Sequence, residues 1–587
     1  MPLARRLDRP AFRIGLLVAS LVVVYLGLVM ADVVRIRNDL EAGQRSLTEL
    51  DLATVDAEGG IGAIAADADR RFQRAADVAR SSPWLAVLSP LPVLGNQVEA
   101  MRDLTGTATE LGELAASAGG EVEAAIDRAA AAPSARVALV DTVIAELEGI
   151  RAGLREVEVG AGGWLLPPLA AARRDLVENL DEADIELDDG RRLASALRGF
   201  LAGPRRYLIL GGNNAEMRAV GIATTSGLAQ VGDGAIEVGG FNESGLTILE
   251  HPGVPVPPEI ETLYGRFFPG RDYRSAVASP NFPVVASLAA DISTQNLYGD
   301  VDGVIYVDTI TLQAMLAVVG PVTVDGFEYS FENAATELLN ENYLRFQTPE
   351  DNPERRALQS QVALAIFDAI NNREISLTGL AAVLSDLARS RHLLAWSSDP
   401  AENELWERFG ASGELSPDTL GVISQELGAS KLDYYTRFDV AIETSDIEGG
   451  PDRDGDGDSD GARRVRLALS VQNPQRDETS PYIDGGSVFA EPGEYGGQVM
   501  FLLPDSAYDV VNTEPAFSVV GTDGPVKVVG FEVRVPEGEQ RTFVIEFSVP
   551  EDQETVDVLP SGRVQPIEYR IDGDTYVDAF PITLPLD

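Results

Sequence analysis

Asn213, Asn214, Glu216 and Arg218 fall within six residues, directly after the apolar run Tyr207 to Leu210 and the pair Gly211-Gly212. Gly221 and Thr224-Thr225 follow them. Amides, a carboxylate and a guanidinium gathered at a strand end can hold a phosphate or a metal–phosphate pair, because the guanidinium offers phosphate oxygens a planar fork of donors. The same residues fit a second reading, a strand-to-helix turn with an asparagine cap and an internal Glu216–Arg218 pair. In both readings the apolar run enters a sheet and the glycines end the strand.

Such a site needs a scaffold. The 587 residues exceed what one core supports, so two to four domains are expected, and a 45% hydrophobic content excludes disorder as the main state. Acidic residues outnumber basic ones 93 to 46, for a net charge of −47, and Lys431 and Lys527 are the only lysines. A surface of this sign repels nucleic acid, so no nucleic-acid partner is expected and an anionic ligand needs a local arginine-lined pocket. With no cysteine, disulfides and thiolate chemistry are excluded. His251 sits in a proline-rich turn and His392 in an expected helix, and each reads as a lone surface or core histidine. The sequence has no Walker loop, no G-x-G-x-x-G after a strand, no G-x-S-x-G and no S-x-x-K.

Residues 1–13 form a short tail carrying Arg5, Arg6, Arg9 and Arg13. Ile14 to Ala31 holds 18 residues without a charge, long enough as a helix to cross a bilayer about 30 Å thick. The preceding arginines then place the N-terminus in the cytoplasm and the bulk outside, as a single-pass protein of the cell membrane. A cleaved signal peptide, with Val29-Met30-Ala31 as its cleavage site, is the rival reading. Residues 32–203 read as an extracytoplasmic helical region, rich in Ala, Leu, Glu and Arg and broken at Glu58-Gly59-Gly60, at Ser81 to Gly95 and at Gly160 to Pro168. The Trp84, Leu85, Leu88, Leu91 and Val93 cluster in the second break faces lipid, a partner or, more commonly, other helices.

Residues 204–429 alternate short strands with helices, the pattern of a mixed α/β core. Two strands flank Gly232-Asp233-Gly234, a buried strand covers Val301 to Val307, and a helix covers Asp308 to Val319. Helices at Phe331 to Phe346 and Asn352 to Ile375 enclose a polar, arginine-bearing joint. Residues 430–587 lose helical patterning and read as a β-sandwich of immunoglobulin-like type, with strands at Thr436 to Glu443, Arg464 to Val471, Gln498 to Leu503, Val526 to Val535, Arg541 to Val549 and Ile567 to Val577. Between two of these, Asp452, Asp454, Asp456, Asp458 and Asp460 fill alternate positions with Gly457 at the turn, which suits Ca²⁺. Arg463 replaces the bidentate glutamate of an EF-hand loop, and a flexible acidic hairpin tip is the other reading.

Several stretches of residues 205–435 resemble the bacterial "domain of unknown function" 4012 family of actinobacteria. They are RRYLILGGNNAEMRAVG, SPNFP from Ser279, VDGVIYVDTITLQAMLAVVGPVTV from Val301, SRHLLAWSSDP from Ser390, and ASKLDYY around Lys431. The order of elements more distantly resembles the LytR-CpsA-Psr family, membrane-anchored enzymes that transfer glycopolymers from a polyprenyl-pyrophosphate carrier to peptidoglycan. Val301 to Val324 matches that family's V-D-G…L-G-G-V-T-V unit, and Arg345, Asp351, Arg355, Arg356 and Gln359 echo its later arginine motif. By that resemblance Arg218, Arg345, Arg355, Arg356, Asn213 and Asn214 bind phosphate, and Glu216, Asp308 or Asp351 holds any Mg²⁺, with Glu216 and Asp351 the best placed as metal ligand or base. The sequence departs from that pattern where Asn213-Asn214 replaces a metal-binding aspartate and no Ser-Asp follows Arg218.

Two functional readings result. One is a cell-envelope protein that binds, and in its enzymatic form transfers, a polyprenyl-pyrophosphate-linked glycopolymer. The other is a non-enzymatic surface scaffold that binds polysaccharide or protein, with the α/β core serving only as a fold.

Overall fold

A computed structural model of the protein describes residues 10–48, 54–160, 163–348, 352–447, 461–512 and 515–586, with backbone alone for residues 10–22 and 352. The chain forms two compact units, Met1–Arg198 and Gly199–Asp587.

The first unit is helical, as its composition requires: α1 (Pro10–Thr48), α2 (Ile61–Ser81), α3 (Pro83–Leu88), α4 (Leu94–Ala131), α5 (Ala135–Glu156) and the start of α6 (Pro167–Ala202). Each expected break is present. Gly59 and Gly60 both take φ 93, a backbone that only glycine adopts cheaply, and so end the link into α2. A fourth break at Pro133 separates α4 from α5, where proline lacks the N–H that would continue the helix. Ile36, Ala75, Ala79, Leu85, Val98 and Met101 make a core between α1, α2, α3 and α4. Among the described residues no helix is long and apolar enough to cross a membrane. Residues 14–22 of the uncharged run have no described side chains.

The second unit is built on two large sheets. Its first strands are β1 (Arg205–Arg218), β2 (Val220–Gly232), β3 (Ala235–Glu243), β4 (Gly303–Asp308), β5 (Val322–Val324), β6 (Phe327–Tyr329), β7 (Leu393–Ser397) and β8 (Thr419–Glu426). Then come β9 (Arg437–Ile447), β10 (Ala462–Asn473), β11 (Tyr495–Leu503), β12 (Tyr508–Asn512), β13 (Val519–Asp523), β14 (Val526–Val535) and β15 (Glu539–Pro550). The chain closes with β16 (Thr555–Val558), β17 (Glu568–Ile571), β18 (Asp574–Val577) and β19 (Ile582–Pro585).

An 11-stranded sheet runs β13-β14-β11-β8-β1-β2-β3, with β4 parallel to β1 and carrying β7, and with β16 and β19 attached at β8. Its strands come from both sides of residue 430. Every residue of β8 and of β11 is buried, which marks them as central strands covered on both faces. A six-stranded sheet, β12-β15-β10-β9-β17-β18, packs on one of those faces. Phe438, Val440, Leu467, Leu469, Phe501, Phe531 and Ile545 fill the core between the sheets. Tyr264, Tyr273, Phe282, Ile292 and Leu288, from helices and loops between β3 and β4, cover the opposite face against Leu208, Leu210 and Met500. The helices Thr309–Val319 and Asn352–Asn372 close a smaller core with β5 and β6. Chain segments before and after residue 430 therefore fold around shared cores.

Candidate active site

Gly211 and Gly212 do not end the strand, contrary to both readings of the sequence. β1 continues through the polar residues to Arg218 and turns into β2 at Ala219, whose φ is 56. The glycines instead make room for side chains from neighbouring strands. A Cβ on Gly212 would stand 2.0 Å from Tyr306 Oη, and one on Gly211 would stand 2.3 Å from Thr225 Oγ1. Tyr306 Oη crosses this gap and donates to the Gly221 carbonyl at 2.9 Å. Pairing between β1 and β2 slips at Gly211/Gly212 and again between Asn213 and Met217. Bulges of this kind re-aim side chains, and Asn213 and Asn214 are both buried although they are adjacent in a strand.

A cavity of about 50 Å³ lies at the C-terminal end of β4, where its parallel pairing with β1 stops at Gly212, with Gly211, Gly212, Asn213, Thr224, Thr225, Asp308, Thr309, Gln359 and Ser360 in its polar wall. Strand ends of this kind are where open α/β sheets place ligands. The space suits a few water molecules or one small polar group.

Asp308 is the one charged residue among the described lining residues, and its carboxylate is engaged on both oxygens. Oδ1 accepts from the Thr311 backbone N–H at 3.0 Å, forming the N-terminal cap of the helix Thr309–Val319. Oδ2 accepts from Asn214 Nδ2 at 2.6 Å and lies 2.7 Å from His392 Nδ1. The positive end of that helix is therefore already matched by a built-in anion. Asn214 Nδ2 also donates to the Gly562 carbonyl at 2.9 Å, and Asn213 Nδ2 donates to Tyr343 Oη at 2.6 Å.

The four arginines expected to grip phosphate are held in their own neighbourhoods, and none lines this cavity. Arg218 donates to the Glu426 carbonyl and stacks 4.7 Å from the Phe267 ring. Arg345 pairs with Glu337 at 3.0 Å and bonds Asn342 at 3.2 Å. Arg356 pairs with Glu243. Arg355 is buried over the rings of Tyr343 and Tyr482, at 4.6 and 5.4 Å.

Glu216 pairs with Lys431, not with Arg218 as the second reading had it. Lys431 in turn stands 5.6 Å from the Tyr343 ring. Burial alone would raise the Glu216 carboxyl, but the Lys431 ammonium holds it below its ordinary value. Close by, Arg563 and Asp433 form an ion pair at 2.8 Å with both side chains almost wholly buried, and Asp433 also accepts from the Met217 N–H at 2.9 Å. Among the described residues Glu426 has no ion pair, and it accepts instead from the Ala429 N–H, the Ser430 N–H and the Ser430 hydroxyl. Burial, with the neighbouring Glu216 and Asp433, pushes its carboxyl up to about 8, against the pull of Ser430 and Arg218. These pairs join β1, β8 and the Lys431–Tyr434 turn, so they lock the sheet at its centre.

Asp351 lies outside the described residues, as does the whole run Asp452, Asp454, Asp456, Asp458 and Asp460. Among the described residues no group of three or more histidine or acidic side chains is placed to hold a metal ion. With Asn213 bonded to Tyr343 and both Asp308 oxygens engaged, the donors at the strand end do not fit a Mg²⁺ shell of carboxylates.

The sequence read Asp308 only as a candidate metal ligand, His392 as a lone histidine and Lys431 as part of the ASKLDYY string, and it left Asp433 and Arg563 unassigned. His392 stands beyond the end of the helix Leu377–Arg389, just ahead of β7, and not within a helix as expected. Two signals were legible: Lys431 is one of only two lysines, and Asp308 occupies the cap position between a strand and a helix.

Residues 202–343 match the family model described as "Protein of unknown function (DUF4012)". No curated protein and no solved structure matches the chain.

Proposed function

We propose that this chain, whose residues 202–343 form a DUF4012 region, is a membrane-anchored extracytoplasmic protein of the cell envelope whose second unit acts as a non-enzymatic binding scaffold. The observation that carries the reading is where the cations go: Lys431 and Arg563 hold buried carboxylates, Arg218 holds the Glu426 carbonyl, and Arg345 and Arg356 pair with Glu337 and Glu243 nearer the surface. A guanidinium already matched to a carboxylate or carbonyl must give up that contact to grip a pyrophosphate, so little of a preorganised anion clamp is left. Support for the anchor is the uncharged run at residues 14–31 preceded by four arginines. In this reading the six-stranded sheet packed on the 11-stranded one presents its outer strands to polysaccharide or protein. The acidic run Asp452, Asp454, Asp456, Asp458 and Asp460 supplies candidate calcium ligands by its sequence pattern, and a calorimetric titration unchanged by Asp454→Asn with Asp456→Asn would end that idea.

The test is binding of a polyprenyl-pyrophosphate analogue to the full chain, with and without Mg²⁺, beside Arg218→Ala and Arg356→Ala. No binding under either condition agrees with the scaffold. Tight binding lost in both variants overturns it.

A second reading, binding and transfer of a polyprenyl-pyrophosphate-linked glycopolymer, has in its favour only the position of the cavity at the end of β4, since about 50 Å³ beside the Asp308 carboxylate is too small to hold a pyrophosphate. It lies beside the stretch where the resemblance to the LytR-CpsA-Psr family puts phosphate. Asp308→Asn tests that reading, because Asn keeps the helix cap while removing the cavity's charge.

A further inference from the structure

The uncharged run at residues 14–31 has two counterparts in the helical unit. No charged residue occurs from Ser81 to Val98 or from Val159 to Ala172, in a chain where 24% of residues are charged.

The first counterpart is fixed against α1 in a definite register. Ser82 caps α3 by accepting from the Leu85 N–H at 3.2 Å, and its Oγ donates to Asp32 Oδ2 at 2.7 Å. The Trp84 carbonyl accepts from Tyr25 Oη at 2.7 Å, and the two rings meet edge-on at 6.3 Å. Asp32 is the first charge after the uncharged run, whereas Tyr25 lies inside it. α3 therefore starts level with the end of the run, and its Trp84, two residues on, sits at most about 7 Å back along it.

One side of α3 is packed, with Leu85 buried beside Val29 and Val33 of α1. The other side is bare, with Trp84 38% and Val87 59% exposed, as is the turn after it, with Leu91 45% and Val93 52%. The second counterpart joins them through Gln97, whose Nε2 donates to the Trp164 carbonyl at 2.9 Å and whose Oε1 accepts from the Leu166 N–H at 2.8 Å. Trp164 is itself 64% exposed.

We propose that this apolar tip, α3 with the turn after it and the segment at Trp164, is seated in the headgroup–acyl boundary of a lipid bilayer beside α1. The inference rests on the anchored reading above. Its argument is continuity: if residues 14–31 lie in lipid, the contact at Tyr25 carries Trp84 to the same depth, and bare apolar side chains there face acyl chains. Tyrosine and tryptophan are the residues that favour that boundary, and an immersion of about 5–10 Å is what interfacial segments reach. The net charge of −47 favours zwitterionic over anionic lipid. The helical unit would thus grip the membrane surface at a second point, restricting its swing about α1.

The chain has no cysteine, so single-cysteine variants of the full protein in phosphatidylcholine nanodiscs report each position cleanly. Val87→Cys and Leu91→Cys test the tip, Val24→Cys tests the anchor, and Asp127→Cys on an exposed turn of α4 is the aqueous reference. The expected result is that Val87→Cys, Leu91→Cys and Val24→Cys all react with a membrane-impermeant maleimide about tenfold more slowly than Asp127→Cys. If Val24→Cys is protected while Val87→Cys and Leu91→Cys react like the reference, the tip proposal is overturned and the anchor stands. If Val24→Cys also reacts like the reference, the anchor falls and the tip with it. Quenching of tryptophan fluorescence by brominated phosphatidylcholine, reduced in Trp84→Phe, is the second readout; quenching unchanged in that variant overturns the proposal.

Discussion

His392 Nδ1 lies 2.7 Å from Asp308 Oδ2, joining residues 84 positions apart at the end of β4. The same carboxylate caps a helix, holds Asn214 and walls the cavity. One side chain thus ties the β4–helix junction, the bulged part of β1 and the entry to β7.

Asp308→Ala removes the acceptor for the Thr311 N–H and hydroxyl, Asn214 Nδ2 and His392 Nδ1 at a buried site. The expected loss is about 3 kcal/mol of stability, because the unpaired Asn214 and His392 groups remain buried. Asp308→Asn, still a competent cap, is expected to recover part of it. The denaturant midpoint of each variant checks both outcomes.

Lys431→Met leaves the Glu216 carboxylate buried without its cation, for an expected loss of about 3 kcal/mol. Glu216→Gln combined with Lys431→Met is expected to lose less than Lys431→Met alone, since no uncompensated charge remains. A double-mutant cycle by chemical denaturation measures the coupling. A double variant no better than the single one would mean that Lys431 works through its contact with Tyr343.

The Glu426 carboxyl is raised in the folded protein from an ordinary 4.5 to about 8. Between those values the unfolded chain loses this proton and the folded chain keeps it. Stability contributed at this site is therefore intact below about 4.5, falls as pH rises through the window, and levels off above about 8. Glu426→Gln is expected to flatten that slope in melting temperature against pH. An unchanged slope would assign the pH dependence elsewhere.

Gly212→Ala puts a methyl group where Tyr306 Oη passes, at 2.0 Å. The expected cost is about 1–3 kcal/mol of overpacking, with loss of the Tyr306 hydrogen bond to Gly221. Thermal melting of Gly212→Ala beside Gly239→Ala, where a Cβ meets nothing within 4 Å, separates the local clash from a general glycine effect.

The sequence by itself determined the elements whose signals are local. The helices of the first unit follow from composition and from breaks at Gly59-Gly60 and Ser82-Pro83. The β2–β3 hairpin follows from Asp233-Gly234, and Val526–Val535 is a strand with the bounds its alternation predicts. The DUF4012 match over residues 202–343 was likewise legible in residue strings. Only the tertiary structure decided the fate of the charges and of the glycine pair. Glu216 meets Lys431 across 215 positions and Arg563 meets Asp433 across 130, distances over which no periodicity reports. Gly211-Gly212 reads locally as a strand end, and only the side chain of Tyr306, brought in by a parallel neighbour, gives it another purpose. Backbone conformation is set largely by nearest neighbours, whereas the partner of a buried charge is set by which strands the whole sheet brings together.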